Sequence, residues 1–371
     1  MRVLSLIAAA LFVGACAGTP ATTGPSAPPP SATPTLSPTQ APTPTSTPSP
    51  TAAALANPRG SAINGSILYS DKGDIFALDP ATGESTLLVG GPTNDFAPTV
   101  MHDGVRFLFV REEDTGTYTA ALDGTGVKRW ADANVISSID VSPDGRIAAI
   151  PTGGGDLIVW DGRAGPMKHL GLTVPANLPL WIDNETLLLI QEVDGFARKF
   201  WVEKADGTGL RPLAAPDACC NPSIDTSTRR LAYTDFVFQG AKTSSSVHII
   251  DFTTGVDTIL ASTVAAQTNY VDPRFSPDGK WIVVEQFPPG GGGHRPVLIA
   301  SDGSGAPLPL GPNPSTNLMV AYTFSPDGTR LLITREDGVF LFSIPDGAGG
   351  RVDWNLGGPQ ENPPFWERLP G

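Results

Sequence analysis

From about residue 65 onward, short apolar runs rich in β-branched and aromatic residues alternate with polar breaks that carry Gly or Pro. No stripe of period 3.6 survives long enough to make a helix, whereas each run has the length and composition of a β-strand. One phrase recurs seven times between residues 75 and 349: an apolar strand, an Asp or near-equivalent, then a turn containing Gly. The copies read IFALDPATG (75–83), YTAALDGTG (118–126), LIVWDGRAG (157–165), FWVEKADGTG (200–209), VHIIDFTTG (247–255), VLIASDGSG (297–305) and VFLFSIPDGAG (339–349). From Asp79 to Asp346 the aligned aspartates lie 38 to 51 residues apart, a spacing that signals a repeat architecture.

A second phrase runs between those strands: IDVSPDGRIAAI (139–150), PRFSPDGKWIVV (273–284) and YTFSPDGTRLLI (322–333). Weaker copies are APTVMHDGVRFLFV (97–110), PLWIDNETLLLI (179–190) and PSIDTSTRRLAY (222–233). Pro-Asp-Gly suits a tight hairpin, because Pro presets φ, Asp accepts from nearby backbone donors and Gly takes φ > 0. Together the two phrases describe four antiparallel strands per unit, the content of one blade of a β-propeller.

The third strand occurs seven times and the inner hairpin six. The first unit enters at GSILYSD (65–71) without its first strand, and NPPFWERLPG (362–371) reads as a lone first strand. The expectation is therefore an all-β propeller of seven four-stranded blades over residues 59–371. Asn362–Arg368 should pair beside Ser66–Ser70 and remove two exposed edges.

The SPDG hairpins followed by strand-Asp-x-x-Gly turns resemble the WD40-like, or TolB-type, β-propeller repeat family, over roughly residues 62–371. The resemblance implies the fold. Two units depart from it, carrying Asp183-Asn184-Glu185 and Asp225-Thr226-Ser227-Thr228 in place of SPDG, so those turns should differ in conformation. The family is known for binding and scaffolding and as a gating domain in some peptidases, so membership leaves function open.

Residues 1–15 read as a secretory signal ending in Val13-Gly14-Ala15-Cys16, which resembles the bacterial lipobox. That resemblance implies cleavage before Cys16 and acylation of its thiol. Residues 16–58 read as a disordered linker: from Ala17 to Pro58 no residue is charged and 12 are proline, among Thr, Ser and Ala. These features predict an extracytoplasmic protein held to a bacterial membrane by its N-terminal lipid alone.

The formal charge of −13, with Lys and Arg scattered singly, argues against a nucleic-acid partner. Besides Cys16 the chain has only Cys219 and Cys220. They either form a vicinal disulfide or stay as buried thiols. A bridge there would stiffen a turn, offer an apolar platform or act as a redox switch.

No Gly-x-Ser-x-Gly elbow is present, and the four histidines (His102, His169, His248, His294) fall in different repeats without metal-ligand spacing. No catalytic residue, metal or cofactor is therefore assigned. The repeated aspartates end strands at turns, where a carboxylate satisfies backbone donors. Trp160, Trp181, Trp201 and Trp281 lie in strand motifs and read as packing residues.

The longest loops are 235–245, 262–273, 286–296 and 311–322, and propeller topology puts them and 215–222 on one face. Phe236, Phe238, Tyr270, His294 and Arg295 are the candidates for contact there. The expected function is a monomeric binding or scaffolding module for an envelope protein, peptide or glycan. The alternative is a propeller lyase or hydrolase with its site at the channel mouth.

Overall fold

A computed structural model describes residues 65–357 and 365–366, apart from 102–105, 115, 135, 152–154, 161–166, 195–196, 216–217, 240–241, 263–267, 288–292, 312–320 and 336. The expected signal and linker, with Cys16, lie outside the described residues. Among the described residues there is no helix, so none is long and apolar enough to cross a membrane.

The strands pair antiparallel with their neighbours. In the first sheet β1 (Ile67–Asp71), β2 (Asp74–Leu78) and β3 (Ser85–Val89) are joined by the last strand, β30 (Phe365–Trp366). The second holds β4 (Asp95–Val100), β5 (Arg106–Arg111), β6 (Gly116–Ala121) and β7 (Lys128–Asn134). The third holds β8 (Ile136–Val141), β9 (Ile147–Pro151), β10 (Asp156–Trp160) and β11 (Lys168–Gly171).

The next sheet has eight strands: β12 (Leu178–Trp181), β13 (Thr186–Asp194), β14 (Ala197–Lys204), β15 (Arg211–Leu213), β16 (Ala218–Asp225), β17 (Arg230–Asp235), β20 (Ser246–Asp251) and β21 (Asp257–Ser262). A separate hairpin, β18 (Val237–Gln239) with β19 (Lys242–Ser244), stands between β17 and β20. Two four-stranded sheets follow: β22 (Asn269–Phe275), β23 (Trp281–Phe287), β24 (Arg295–Ala300) and β25 (Leu308–Pro309), then β26 (Ala321–Phe324), β27 (Arg330–Arg335), β28 (Gly338–Ser343) and β29 (Gly349–Val352).

The motif count predicts seven separate four-stranded sheets, and among the described residues five are found. The remaining strands merge into one sheet because Ala197 of β14 pairs with Cys219 of β16. The expected joining of the two ends is present, with Ile67 opposite Trp366 and Leu68 opposite Phe365.

The inner strands, such as β23 and β27, bury both faces, since their alternate residues meet the sheets on either side, whereas the outermost strands β3, β11, β21 and β25 are largely exposed. In β23, Ile282 and Val284 pack with Ala232, Val247 and Ile249, while Val283 packs with Phe324, Leu331 and Ile333. Among the described residues seven apolar clusters arise in this way, and one of them sets Ile67, Tyr69 and Leu78 against Leu332 and Leu341, with Trp354 and Trp366 filling the join.

The recurring turns have defined work. In the hairpins, Ser142, Ser276 and Ser325 each donate to the Asp two residues on, at 2.5, 2.6 and 2.6 Å. The same hydroxyls accept the N–H of Arg146, Trp281 and Arg330. Neighbouring hairpins are also tied together: Asp144 N–H donates to Asn184, Arg229 pairs with Asp183, and Arg230 donates to the Gly279 carbonyl. Where SPDG is missing, Trp181 still faces Leu187 and Asp225 still faces Arg230 across their hairpins.

In the Asp/Gly turns the carboxylates of Asp79, Asp123, Asp206, Asp302 and Asp346 each accept the N–H two residues on. The glycine after such an Asp lies under the outer strand of the preceding sheet. A Cβ at Gly124 (φ +81°) would sit 2.1 Å from the Leu88 carbonyl oxygen, whereas one at Gly126 (φ +67°) would meet nothing within 4 Å. Gly124→Ala is therefore expected to cost about 2–4 kcal/mol and Gly126→Ala only about 1 kcal/mol. Urea midpoints of the two variants, compared at equal slope, check the difference.

Candidate functional site

Consecutive first strands lie against one another, β8 with β12 and β16 with β22, so they enclose the middle of the ring. At the ends away from the hairpins they are bulged. Register slips fall between Phe96 and Thr99, Ile136 and Ser138, Cys219 and Ser223, and Val271 and Arg274. Three non-glycine residues at these bulges take left-handed backbone: Ala97 (φ 54°), Cys220 (φ 64°) and Asp272 (φ 50°). Each such residue costs on the order of 1–3 kcal/mol unless its surroundings impose it. Pro98 and Pro273 follow two of them. A residue without an N–H cannot sit in a continuous ladder, so each Pro favours the break.

The bulged backbone carries an arc of polar contacts. Asn221 N–H donates to the Asp272 carboxylate at 2.9 Å, and the Tyr322 hydroxyl donates to the Asp272 carbonyl. Further along the first strands a side-chain oxygen from one strand accepts the N–H of the next. Asp140 accepts from Trp181 at 2.6 Å and Ser223 accepts from Phe275 at 3.2 Å. Arg274, two residues beyond Asp272, is exposed.

Asp140 and Tyr322 are each half-buried, with protein packed densely around them. Burial pushes the Asp140 carboxyl up to about 6, against the opposing pull of the Trp181 N–H and the Arg274 charge. Burial and the Asp272 charge hold the Tyr322 phenol well above its usual range.

Around this mouth the charged groups are arranged in internal pairs. Arg111 makes a two-pronged contact with Asp95 (2.7 and 2.8 Å) and lies over the Tyr118 ring at 4.5 Å. Arg335 pairs with Asp337 and covers Phe340. His294 contacts Glu285 at 2.5 Å and stacks on Phe287. His248 lies between Asp235 (3.4 Å) and Asp257 (3.0 Å) and stacks on Tyr233.

Two of these groups give stability a pH dependence of known sign. Burial opposes the charged His248 imidazole, but the nearby Asp235 and Asp257 carboxylates outweigh burial and hold its pKa above the usual value. Its contribution is fully present below the unfolded pKa of about 6.5 and is lost as pH rises through the folded value. Asp140 also binds its proton more tightly in the folded state, so between its ordinary value near 3.8 and about 6 stability falls as pH rises. Asp140→Asn keeps an oxygen for Trp181 N–H and removes the ionisation. The variant should gain stability relative to the parent at pH 8 and not at pH 4, as read by urea unfolding at both.

The structure separates the sequence-based contact candidates. Tyr270 is buried, packing with Val247, Ile282 and Val284, and is a core residue rather than a contact residue. It turns inward because its position shares the side of the sheet that carries Ile282 and Val284. Arg295 is half-buried and donates through Nε to Gln286 at 2.7 Å. His294, one residue earlier, pairs with Glu285, which alternates with Val284 and shares the Val283 side. The two neighbours therefore serve opposite sides of one sheet. Phe236 is half-buried; Phe238 pairs through its backbone with Thr243, and its side chain lies outside the described residues.

Cys219 and Cys220 are joined in a vicinal disulfide at the β16 bulge. Asp140, Asn221, Asp272, Arg274 and Tyr322 escape sequence reasoning. A residue placed just before Pro in a first strand, as in Asp272-Pro273 and Asn221-Pro222, is a signal that points to those two, and none points to Asp140, Arg274 or Tyr322.

No family model matches the sequence, and no curated protein matches it. Among solved structures, the β-propeller domain of Cps50 (Swd1) from Myceliophteria thermophila aligns with a TM-score of 0.51 at 14% identity, over 71% of this chain and 87% of that one. An oligogalacturonate lyase in complex with manganese aligns with a TM-score of 0.55 at 14% identity, over 76% and 83%. TolB from Acinetobacter baumannii aligns with a TM-score of 0.48 at 13% identity, over 82% and 67%. The chain has a β-propeller fold. It shares that fold with a lyase and with the Cps50 (Swd1) propeller domain alike, and the likeness extends no further than fold.

Proposed function

We propose that the chain is a seven-bladed propeller serving as a binding or scaffolding module, with its site at the channel mouth lined by the bulged first strands. The eight-stranded sheet counts as two blades, β12–β15 and the group β16, β17, β20 and β21, because a separate apolar cluster lies between them. The observation that carries the reading is the left-handed backbone at Ala97, Cys220 and Asp272. Three departures from regular ladders at the same end of the first strands, two of them on the neighbouring strands β16 and β22, are what a site re-aiming its side chains requires. The partner is an envelope protein, peptide or glycan, and the module is a monomer carried outside the cytoplasm on lipid-modified Cys16. Cys16→Ala should release the protein from the membrane fraction or leave an unprocessed precursor; unchanged processing and membrane retention would oppose the anchor.

The test of the site uses a partner retained by the full-length protein from membranes. Replacing Arg274 and Tyr322 by Ala and Phe should weaken its binding at least about tenfold, or 1.4 kcal/mol. Asp302→Ala, in a turn on the opposite face, should leave it unchanged. The reverse order would place the site elsewhere.

A second reading, an enzyme of the channel, is favoured by Asp140, whose raised pKa of about 6 lies near Arg274 in an enclosed space. Turnover in a panel of glycans and esters, lost in Asp140→Asn, would support it over the first.

A further inference from the structure

We propose that the Cys219–Cys220 disulfide is a thiol-responsive site that sets the shape of the channel mouth. The inference rests on the binding site lying at that mouth and concerns its control. The bond sits where three structural features meet. Among the described residues, Cys219 makes the one backbone pair, with Ala197, that joins the two halves of the eight-stranded sheet. Cys220 is the left-handed residue of the bulge. Asn221, next in the chain, donates to Asp272 of the neighbouring sheet, and Asp272 in turn receives Tyr322. A change of backbone at Cys220 therefore reaches the seam on one side and the polar arc on the other.

The surroundings provide for both oxidation states. Cys219 is 1% exposed, with its sulfur 3.4 Å from the buried Thr234 hydroxyl. A disulfide sulfur carries no hydrogen, so Thr234 is the donor while the bond is intact. The same sulfur lies 3.9 Å from the Asp235 carbonyl oxygen, an acceptor ready for a thiol S–H. Cys220 is partly exposed and is the sulfur an external thiolate can reach.

The chemistry is ordinary exchange with a dithiol. A thiolate of the reductant attacks Cys220 Sγ, the S–S bond breaks, and Cys219 leaves as a thiolate supported by the Thr234 hydroxyl. The second thiol of the reductant then attacks the mixed disulfide and frees Cys220. The dithiol is oxidised to its disulfide, and two protons end on the two cysteine sulfurs. With the link gone, the positive φ of Cys220 rests on the bulge alone, as it does at Ala97 and Asp272, and the Asn221–Asp272 contact is held less firmly.

Hydrogen exchange of the full chain, before and after dithiothreitol, tests this without any partner. Reduction is confirmed by the mass gain of two hydrogens. The expected result is exchange faster by at least about tenfold in 218–223 and 269–275, with the hairpin turns unchanged. The double variant Cys219→Ser/Cys220→Ser should show the fast pattern with or without reductant. A bond that resists dithiothreitol, or reduction with no change in those segments, overturns the proposal. So does an even rise across every sheet, which would mark the bond as a plain cross-link. Local loosening with Arg274 and Tyr322 indifferent to partner binding would instead sink the binding site and leave the switch standing.

Discussion

Trp366→Ala is expected to destabilise the ring by about 3–5 kcal/mol, the range for removing a large buried side chain whose cavity cannot collapse. Trp366 is 4% exposed and packs with Ile67, Tyr69, Trp354 and Leu356 at the join between the last and first strands. The surroundings come from both ends of the ring, so they cannot close over the gap without shifting whole sheets. Removing residues 362–371 should cost more than the substitution, because it also strips the β1 edge of its backbone partner. Thermal or urea unfolding of both variants checks the order. A truncated protein that melts like the parent would contradict the closure.

Asp95→Ala should cost a similar amount, about 3–5 kcal/mol, by leaving a cation without its counter-charge. Asp95 is fully buried and holds Arg111 through two hydrogen bonds. Those bonds hold the guanidinium even more firmly protonated than usual, so it cannot shed its charge when the carboxylate is gone. The pair links the start of β4 to the end of β5, and its loss loosens one wall of the channel mouth. Replacing both residues together, Asp95→Asn with Arg111→Met, should recover much of the loss. Equal instability of the single and double variants would mean that backbone strain at Ala97, rather than the ion pair, holds that corner.

Much of the fold is legible in the sequence because its punctuation is local. Ser276-Pro277-Asp278-Gly279 makes its own hairpin, and the mismatch of seven third strands against six hairpins points to Phe365 and Trp366 as the missing partner of Ile67 and Leu68. The merger of two units through Ala197 and Cys219 is not legible, since one backbone pair between distant segments leaves no periodic trace.

The candidate site is less readable for the same reason. Aromatic and cationic residues in long loops drew attention to Tyr270 and His294, yet the position of each along β22–β24 decides whether it faces core or loop. Tyr270 falls on the side that meets Val247 and Ile249 and is spent on packing. The residues that shape the mouth, Asp272 and Cys220, owe their importance to a backbone conformation that side-chain identity does not announce.

The most direct measurement of the central claim is hydrogen exchange of the full chain with and without a partner retained from membranes. Several backbone N–H groups at the bulges stand outside the regular ladders, so contact there changes their exchange measurably. Binding at the channel mouth predicts protection in 94–98, 218–223 and 269–275, with the hairpin turns 142–145, 276–279 and 325–328 unaffected. Protection confined to those turns or to the outer strands, with the bulged segments unchanged, would contradict it.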